Sequence, residues 1–451
     1  MEQLLNITQH ISDLLWGWPM IILLLGTHIF LTFRLKIPQR KILTAIKLSV
    51  KNDKGSNGDV SQFAALATSL AATIGTGNII GVATAISLGG PGAVLWCWMT
   101  GVFGIATKYG EGLLAIKYRV KTDSGRMLGG PMYALEKGLG MKWLGVLFSV
   151  FTAVAAFGIG NTVQANAISE NLSLVCADMI EPEYTRMFVG FLLAAIVGFV
   201  VIGGVQSIAK WCTALVPMMA LLYVAGCIYI LCLNASYLGQ AVHLIVSEAF
   251  SLDAMAGGTA GTVVMCAARY GIARGLFSNE SGMGSAPIVA AAAQTRNPVR
   301  QALVSSTGTF WDTVVICAIT GLVIVSSIIA NPDISQSDGG MLTKKAFGMI
   351  PYVGTPILTF AFSTILGWSY YGERAMEYLA GRKSIIFYRI VYILMLYSGA
   401  TMSLSLVWNL ADIMNALMAL PNLISLIFLS GVIACDTRHY LWEKNLDEES
   451  D

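Results

Sequence analysis

The sequence predicts an all-α integral membrane protein with eleven transmembrane helices, two of them discontinuous. Three observations lead to this prediction. The composition is too apolar for a water-soluble domain, and eleven apolar stretches are each long enough to cross a bilayer. Two of those stretches also carry a glycine-rich, polar interruption near the middle.

The composition separates this chain from soluble proteins. Of its 451 residues 55% are hydrophobic and only 12% are charged, with a mean hydropathy of +0.68. Soluble domains carry about 25% charged residues. The net charge of +2 gives no reason to expect nucleic-acid binding. The eight cysteines lack metal-binding spacing, so we expect them to pack and to form no disulfides.

A bilayer needs about 20 apolar residues for each helical crossing. Counting on that scale gives eleven stretches: 14–34, 61–88, 91–117, 143–170, 186–204, 211–234, 256–292, 302–330, 351–379, 385–408 and 412–434. The seventh stretch is overlong and has a glycine-rich interior.

The distribution of basic residues orients these stretches. With eleven spans, 23 of the 28 Lys and Arg residues fall on one side of the membrane, and basic loops face the cytoplasm. The chain should therefore begin outside and end in the cytoplasm. We expect a bacterial or archaeal cytoplasmic (inner) membrane protein, with the acidic tail "DEESD" as a solvated end.

The first interruption lies in the second stretch, within "LAATIGTGNIIG" at 70–81. Glycine costs about 1 kcal/mol in a helix, and unwound backbone in hydrocarbon costs several kcal/mol for each unpaired group. Such backbone is tolerated at membrane depth where it lines a cavity. The polar and flexible positions are Thr73, Gly75, Thr76, Gly77 and Asn78.

The second interruption, "FSNESGMGS" at 277–285, comes five spans later. Because five is odd, the two interrupted spans should run in opposite directions through the membrane. Paired interruptions in two inverted halves indicate the binding site of a secondary transporter. The alternative is that the glycines only let helices pack closely.

The stretch "GGPGAVLWCWMTGVFG" at 89–104 resembles the signature of the alanine/glycine:cation symporter family. The segments "TIGTGNI", "FSNESGMGS" and "STILGWSYYGE" are also similar to this family, so the resemblance covers essentially the whole chain. The sequence departs modestly from the family at Leu95, Cys97 and Gly101.

The resemblance extends to the wider group of sodium-coupled transporters with five-plus-five inverted repeats. It implies an N-terminal helix and basic loop over 1–59, a first repeat over 60–234, a connection and second repeat over 235–436, and a cytoplasmic tail over 437–451.

The same resemblance implies a sodium site, since Ser363 and Thr364 match the adjacent hydroxyl pair of the wider group. Backbone carbonyls of Ala71, Ile74 and Phe360 would complete the oxygen ligands that a hard cation prefers. The alternative is that both hydroxyls bond back to carbonyls of their own helix. A second cation near Asn78, Thr73 and Ser278 stays open.

For the substrate carboxylate we expect the backbone N–H groups of Thr76 and Gly77, where glycine permits close approach. Asn78 belongs to the same predicted substrate site. For the substrate amino group, we expect carbonyls around Phe277–Asn279 and side chains of Asn161 and Gln164, which share one helix face. The alternative for these two amides is a hydrogen bond between helices.

Bulky residues should limit the size of the substrate. Phe277, Met283 and Trp368 are expected to face a small pocket, although packing alone is the alternative reading. Ser278 belongs to the same predicted substrate site.

Charges in membrane helices are costly, so they are usually functional or paired. Glu280 and Asp312 fall within spans, and the sequence leaves their partners open. Glu111 and Glu373 are expected to form gate or interface ion pairs.

These features together predict a symporter for small neutral amino acids such as alanine and glycine, driven by sodium and embedded in the lipid bilayer as a monomer. A proton-coupled or exchange transporter using Glu280 or Asp312 is the alternative. An enzyme is not expected, and no cofactor besides the coupling ion, because the chain lacks HExxH, GxSxG and P-loop motifs and Cys/His clusters.

Overall fold

The computed structural model describes residues 2–51, 53, 56–123, 125–177, 179–250, 260–336, 342–348, 354–402 and 405–450. The protein is mostly helical, and helices occupy most of the described part of each predicted stretch. The predicted stretches 256–292, 351–379 and 385–408 include residues 256–259, 351–353 and 403–404, which lie outside the described residues. In the first part of the chain the helices are α1 (Glu2–Leu15), α2 (Trp18–Arg34), α3 (Ile42–Ser49), α4 (Gln62–Thr73), α5 (Val82–Gly89), α6 (Ala93–Lys117), α7 (Pro131–Tyr133), α8 (Lys142–Phe157), α9 (Val163–Val175), α10 (Pro182–Ile202) and α11 (Gly204–Leu233).

The second part of the chain continues in the same manner. Its helices are α12 (Leu238–Phe250), α13 (Ala260–Asn279), α14 (Ala286–Ala290), α15 (Pro298–Thr309), α16 (Ala318–Ala330), α17 (Leu342–Ala346), α18 (Gly354–Ala380), α19 (Ser384–Thr401), α20 (Ser405–Phe428) and α21 (Ser430–Asp436). Among the described residues, seven helices are long and apolar enough to cross a membrane, or eight if the bent pair α4–α5 is one span. The count of eleven spans therefore stays a prediction.

Both interruptions occur where the sequence predicted them. The segments Gln62–Thr73 and Gly77–Gly89 meet at an angle of 53°, and α13 is separated from α14 by a non-helical segment at 280–285. The sequence also explains where the first broken helix begins, because the Ser61 hydroxyl accepts the N–H of Ala64 as an N-cap.

Several elements were not predicted. They are the amphipathic helices α1 and α12, the hairpin of β1 (Val120–Lys121) and β2 (Met127–Leu128), and π-helical turns at Gly158–Thr162 and Phe310–Cys317. A count of apolar residues does not register short amphipathic helices. It also does not register π-turns, which leave the hydrophobic pattern almost unchanged.

The acidic tail is not simply solvated, which corrects our expectation. Arg300 is buried and binds both carboxylate oxygens of Asp53 at 2.8 Å, and its Nη1 lies 2.7 Å from Asp447 Oδ1. The amide of Asn297 donates to the carbonyls of Leu446 and Glu448, each at 2.9 Å. The tail is therefore fixed to the start of α15.

Candidate functional site

The first break is shaped by a side chain that follows it. After α4 ends, the N–H of Gly75 donates to Asn78 Oδ1 at 2.9 Å, so the Asn78 side chain caps the unwound backbone. Gly75 also permits helix contact, because a Cβ at this position would lie only 2.6 Å from Thr364 Oγ1. A side chain here would push α18 away from the first break.

The second break is held by Glu111 of α6. Its Oε1 accepts the N–H groups of Gly282 at 3.1 Å and Gly284 at 3.0 Å, and the amide of Asn422 at 2.7 Å. Both glycines have positive φ values, +89° and +84°, where other residues are strained. The described contacts of Glu111 are thus hydrogen bonds to unwound backbone and to an amide, and its ion pair stays a prediction. Glu373, by contrast, does pair with Arg389, at 2.6 Å.

Asp312 connects the two breaks. Its Oδ1 accepts the Asn78 amide at 2.7 Å, and its Oδ2 accepts the hydroxyls of Ser278 at 3.1 Å and Thr313 at 2.6 Å. All four side chains are buried. The π-helical turn at Phe310–Cys317 contains Asp312, and such turns are frequent at functional sites. The sequence left the partners of Asp312 open, and the structure shows that they are neutral hydrogen-bond donors from both halves of the chain.

Four of the five residues of the expected cation site, Ala71, Phe360, Ser363 and Thr364, are in contact. Ser363 Oγ is 3.3 Å from the carbonyl oxygen of Ala71 and 2.9 Å from that of Phe360, and Thr364 Oγ1 is 2.9 Å from the Phe360 oxygen. Ile74 is buried just beyond the end of α4. The two hydroxyls do bond back within their helix, as the alternative reading held, but Ser363 also reaches across to α4. The oxygen-only donor set matches the preference of a hard cation.

No cluster of three or more His, Cys, Asp or Glu residues that could hold a metal ion occurs within the described ranges.

A small cavity lies between the two breaks. Its volume is about 20 Å³, close to the space that one water molecule needs. It is lined by Ala72, Thr73, Gly75, Gly77, Ile159, Gln164, Phe277, Ser278, Glu280, Thr364 and Trp368. In this conformation an amino acid does not fit, so the lining side chains must move to admit one.

Five of the predicted substrate residues line this cavity, namely Gly77, Gln164, Phe277, Ser278 and Trp368. The other four, Thr76, Asn78, Asn161 and Met283, are buried but are not part of the lining.

The two candidate amides of the fourth stretch differ in their surroundings. Asn161 donates to the carbonyl of Tyr392 in α19 at 2.7 Å, as the interhelical alternative held. Gln164 lines the cavity and donates to the Ile159 carbonyl at 3.0 Å, and its buried Oε1 has no hydrogen-bond partner among the described residues. Gln164 is therefore the better placed acceptor for a ligand proton.

Trp368 forms one wall of the cavity and is completely buried. Its indole Nε1 donates to Glu280 Oε1 at 3.2 Å, and the second oxygen of Glu280 accepts the Ser285 hydroxyl. Glu280 has a φ of +52°, and a left-handed conformation costs a non-glycine residue about 1–2 kcal/mol. The sequence places Glu280 in the second break, but nothing in its local pattern points to Trp368, which lies 88 residues further along the chain.

The sequence that forms this site matches a known protein family. The family model described as the sodium:alanine symporter family matches residues 1–451. The sodium/alanine symporter AgcS of Methanococcus maripaludis is 49% identical over 448 residues, covering 96% of this chain and 97% of that protein. The probable sodium/glutamine symporter GlnT of Bacillus subtilis is 36% identical, covering 100% of this chain and 93% of that protein.

Among solved structures, MhsT in complex with L-phenylalanine matches with a TM-score of 0.56 at 17% identity, over 85% of this chain and 99% of that chain. At this identity the match shows a shared fold. The family model and the relatives concern transporters, so this protein is a multi-pass membrane transporter and not an enzyme. The chain belongs to the sodium:alanine symporter family.

Proposed function

We propose that this protein imports a small neutral amino acid, alanine or glycine, together with sodium across a bacterial or archaeal cytoplasmic membrane. One observation supports this most directly. The cavity between the two breaks is lined in part by Thr364, so one of the two hydroxyl residues of the cation cluster borders the space for the substrate. A cation bound there and an amino acid in the cavity would stabilise the same closed arrangement of α4 and α18.

The amino acid would be recognised mainly by backbone and neutral polar groups. Its carboxylate would bind near the N–H groups of Thr76 and Gly77, where the π-helical segment Gly77–Gly81 begins. Its ammonium group would donate to Gln164 Oε1 and to carbonyls around Phe277. Trp368 and Phe277 would leave space only for a very small side chain.

Access would alternate between the two ends of the bundle. Phe277 lines the central cavity and also a second cavity of about 120 Å³, bordered by Arg274, Asp412 and Asp13. With the N-terminus outside, that second cavity opens toward the exterior, and displacement of Phe277 would connect the two. The opposite end is held by Arg300 and Asp53.

Sodium coupling is energetically sufficient for accumulation. Moving one positive charge through 100 mV releases about 2.3 kcal/mol, which corresponds to roughly fifty-fold accumulation. The second candidate is proton coupling, which the buried carboxylates of Glu280 and Asp312 favour because both lie at or beside the cavity.

The test is uptake of labelled alanine into proteoliposomes with inward gradients of sodium, potassium or protons imposed separately. We expect accumulation only with sodium. Accumulation driven by a proton gradient alone would instead establish the second candidate. No alanine uptake under any gradient would refute the substrate assignment, and uptake of glycine would be compared in the same vesicles.

A further inference from the structure

Trp368 is fixed on two sides by close packing. A Cβ at Gly160 would lie 2.1 Å from Trp368 Cβ and 2.2 Å from its Cγ, so the side chain is in direct contact with the π-helical turn at Gly158–Thr162. On another side the ring of Tyr371 packs edge-on, with ring centroids 5.5 Å apart. These contacts hold the base of the side chain, and the polar edge of the indole is held separately.

That polar edge is held by Glu280. The carboxylate is buried, and both of its oxygens are used: Oε1 accepts the indole N–H of Trp368, and Oε2 accepts the hydroxyl of Ser285 within the same break. A buried indole N–H that loses its acceptor is destabilised, so this hydrogen bond fixes the polar edge of the ring.

The backbone at Glu280 gives a second, independent reason to assign this side chain a role. Its φ of +52° lies in the left-handed region, which favours glycine, and the break contains glycines at 282 and 284 that adopt such angles without strain. Strain of this kind persists where the surrounding structure requires the residue and clusters at functional sites. A glycine at 280 would relieve the strain but could not hold the indole.

We propose that Glu280 is a positioning residue that sets the substrate size limit by holding the indole of Trp368 across the cavity. The inference rests on the proposed function, in which Trp368 borders the substrate side chain. Loss of the hydrogen bond would let the ring rotate away and would enlarge the space beside it. Glu280 would thus act on selectivity through Trp368 rather than by contact with the substrate.

The competing role for Glu280 is direct binding of the substrate ammonium group, since the residue also lines the cavity. The two roles differ in what they change. A positioning residue alters the preference among side-chain sizes. A residue that binds the ammonium alters the affinity for every amino acid equally, because all of them carry this group.

The experiment compares sodium-driven uptake of alanine and valine by the wild type, Glu280→Gln and Glu280→Ala in proteoliposomes. Glutamine keeps an acceptor oxygen at the same reach, so we expect the valine-to-alanine ratio of kcat/KM to stay within about threefold of the wild type. In Glu280→Ala we expect this ratio to rise about 5-fold to 150-fold, the factor that corresponds to a buried donor left without an acceptor.

Trp368→Phe gives a second measurement if Glu280→Ala does not fold. Phenylalanine lacks the indole N–H and is also smaller, so it should raise the ratio by itself; adding Glu280→Gln or Glu280→Ala to Trp368→Phe should then change the ratio no further, because the group that Glu280 holds is absent. An unchanged ratio in both Glu280→Ala and Trp368→Phe would overturn the positioning role. Equal loss of affinity for alanine and valine in Glu280→Gln would assign ammonium binding instead. Failure of the wild type to transport alanine would refute the proposed function, whereas an unchanged ratio beside active wild-type transport refutes only the role of Glu280.

Discussion

Replacing the hydroxyls of Ser363 and Thr364 should weaken sodium activation far more than it weakens the fold. Ser363 Oγ lies within 3.3 Å of the Ala71 oxygen and 2.9 Å of the Phe360 oxygen, so the pair is already placed among the carbonyls that would contact the ion. An interaction between a polar group and a charge contributes about 1.5–3 kcal/mol. Each substitution, Ser363→Ala or Thr364→Val, should therefore raise the sodium concentration for half-maximal uptake about 10-fold to 150-fold.

The two effects should not simply add, because both hydroxyls also bond to the carbonyl of Phe360. The matched control is Ser369→Ala, on the same helix. Ser369 is equally buried, and its hydroxyl bonds back to the carbonyl of Leu366 at 2.7 Å. Removing this hydroxyl changes helix packing in the same way but removes no group from the cation cluster.

The assay is initial alanine uptake into proteoliposomes as a function of external sodium, with the membrane potential clamped by potassium and an ionophore. Sodium activation curves of Ser363→Ala and Thr364→Val that match that of Ser369→Ala would refute the cation site. Reduced maximal uptake with unchanged sodium dependence in either variant would also refute it.

Further substitutions test the packing around Trp368 and the buried ion pair between Arg300 and Asp53. Gly160→Ala should lower both the unfolding temperature and alanine uptake, because the added Cβ would overlap Trp368 and overpacking costs about 1–3 kcal/mol. The control is Gly239→Ala, which should change neither quantity, because a Cβ at this position would meet no atom within 4 Å. Arg300→Met should destabilise the protein by up to about 3–5 kcal/mol, because it leaves the buried carboxylate of Asp53 with only the longer contacts to Arg296 Nε at 3.9 Å and Gln62 Nε2 at 3.4 Å. Thermal unfolding in detergent measures the loss of stability in Arg300→Met. The double variant Arg300→Met, Asp53→Leu should recover stability, because it no longer buries the carboxylate of Asp53. No loss in the single variant would contradict the assignment.

The positions of both breaks could be predicted from sequence because each leaves a local signal. Glycine and short polar side chains stand out within an apolar stretch, and that signal located the segments around Gly75 and Gly282. The Ser363–Thr364 pair also came from a local motif. Its proximity to Ala71 followed from the resemblance to known transporters.

The groups that hold the breaks together could not be predicted in the same way. Glu111 and Asp312 are distant in sequence from the backbone and the amide that they bind. A single sequence shows that such charges are buried in a membrane, but it does not show which partner each one meets. Trp368 and Glu280 illustrate the same limit, since 88 positions separate two side chains that form one hydrogen bond.

The contacts of residues 446–450 have a practical consequence for anyone who labels this protein. Ser450 donates its N–H to the Arg296 carbonyl, and Asn409 donates its amide to α1 at the other end of the chain. Fusion tags or fluorescent reporters attached to α1 or to residues 446–450 would disturb these contacts. An insertion beside Gly125, which is exposed between β1 and β2, offers a safer attachment point, provided that the glycine itself is kept, because its φ is +81°.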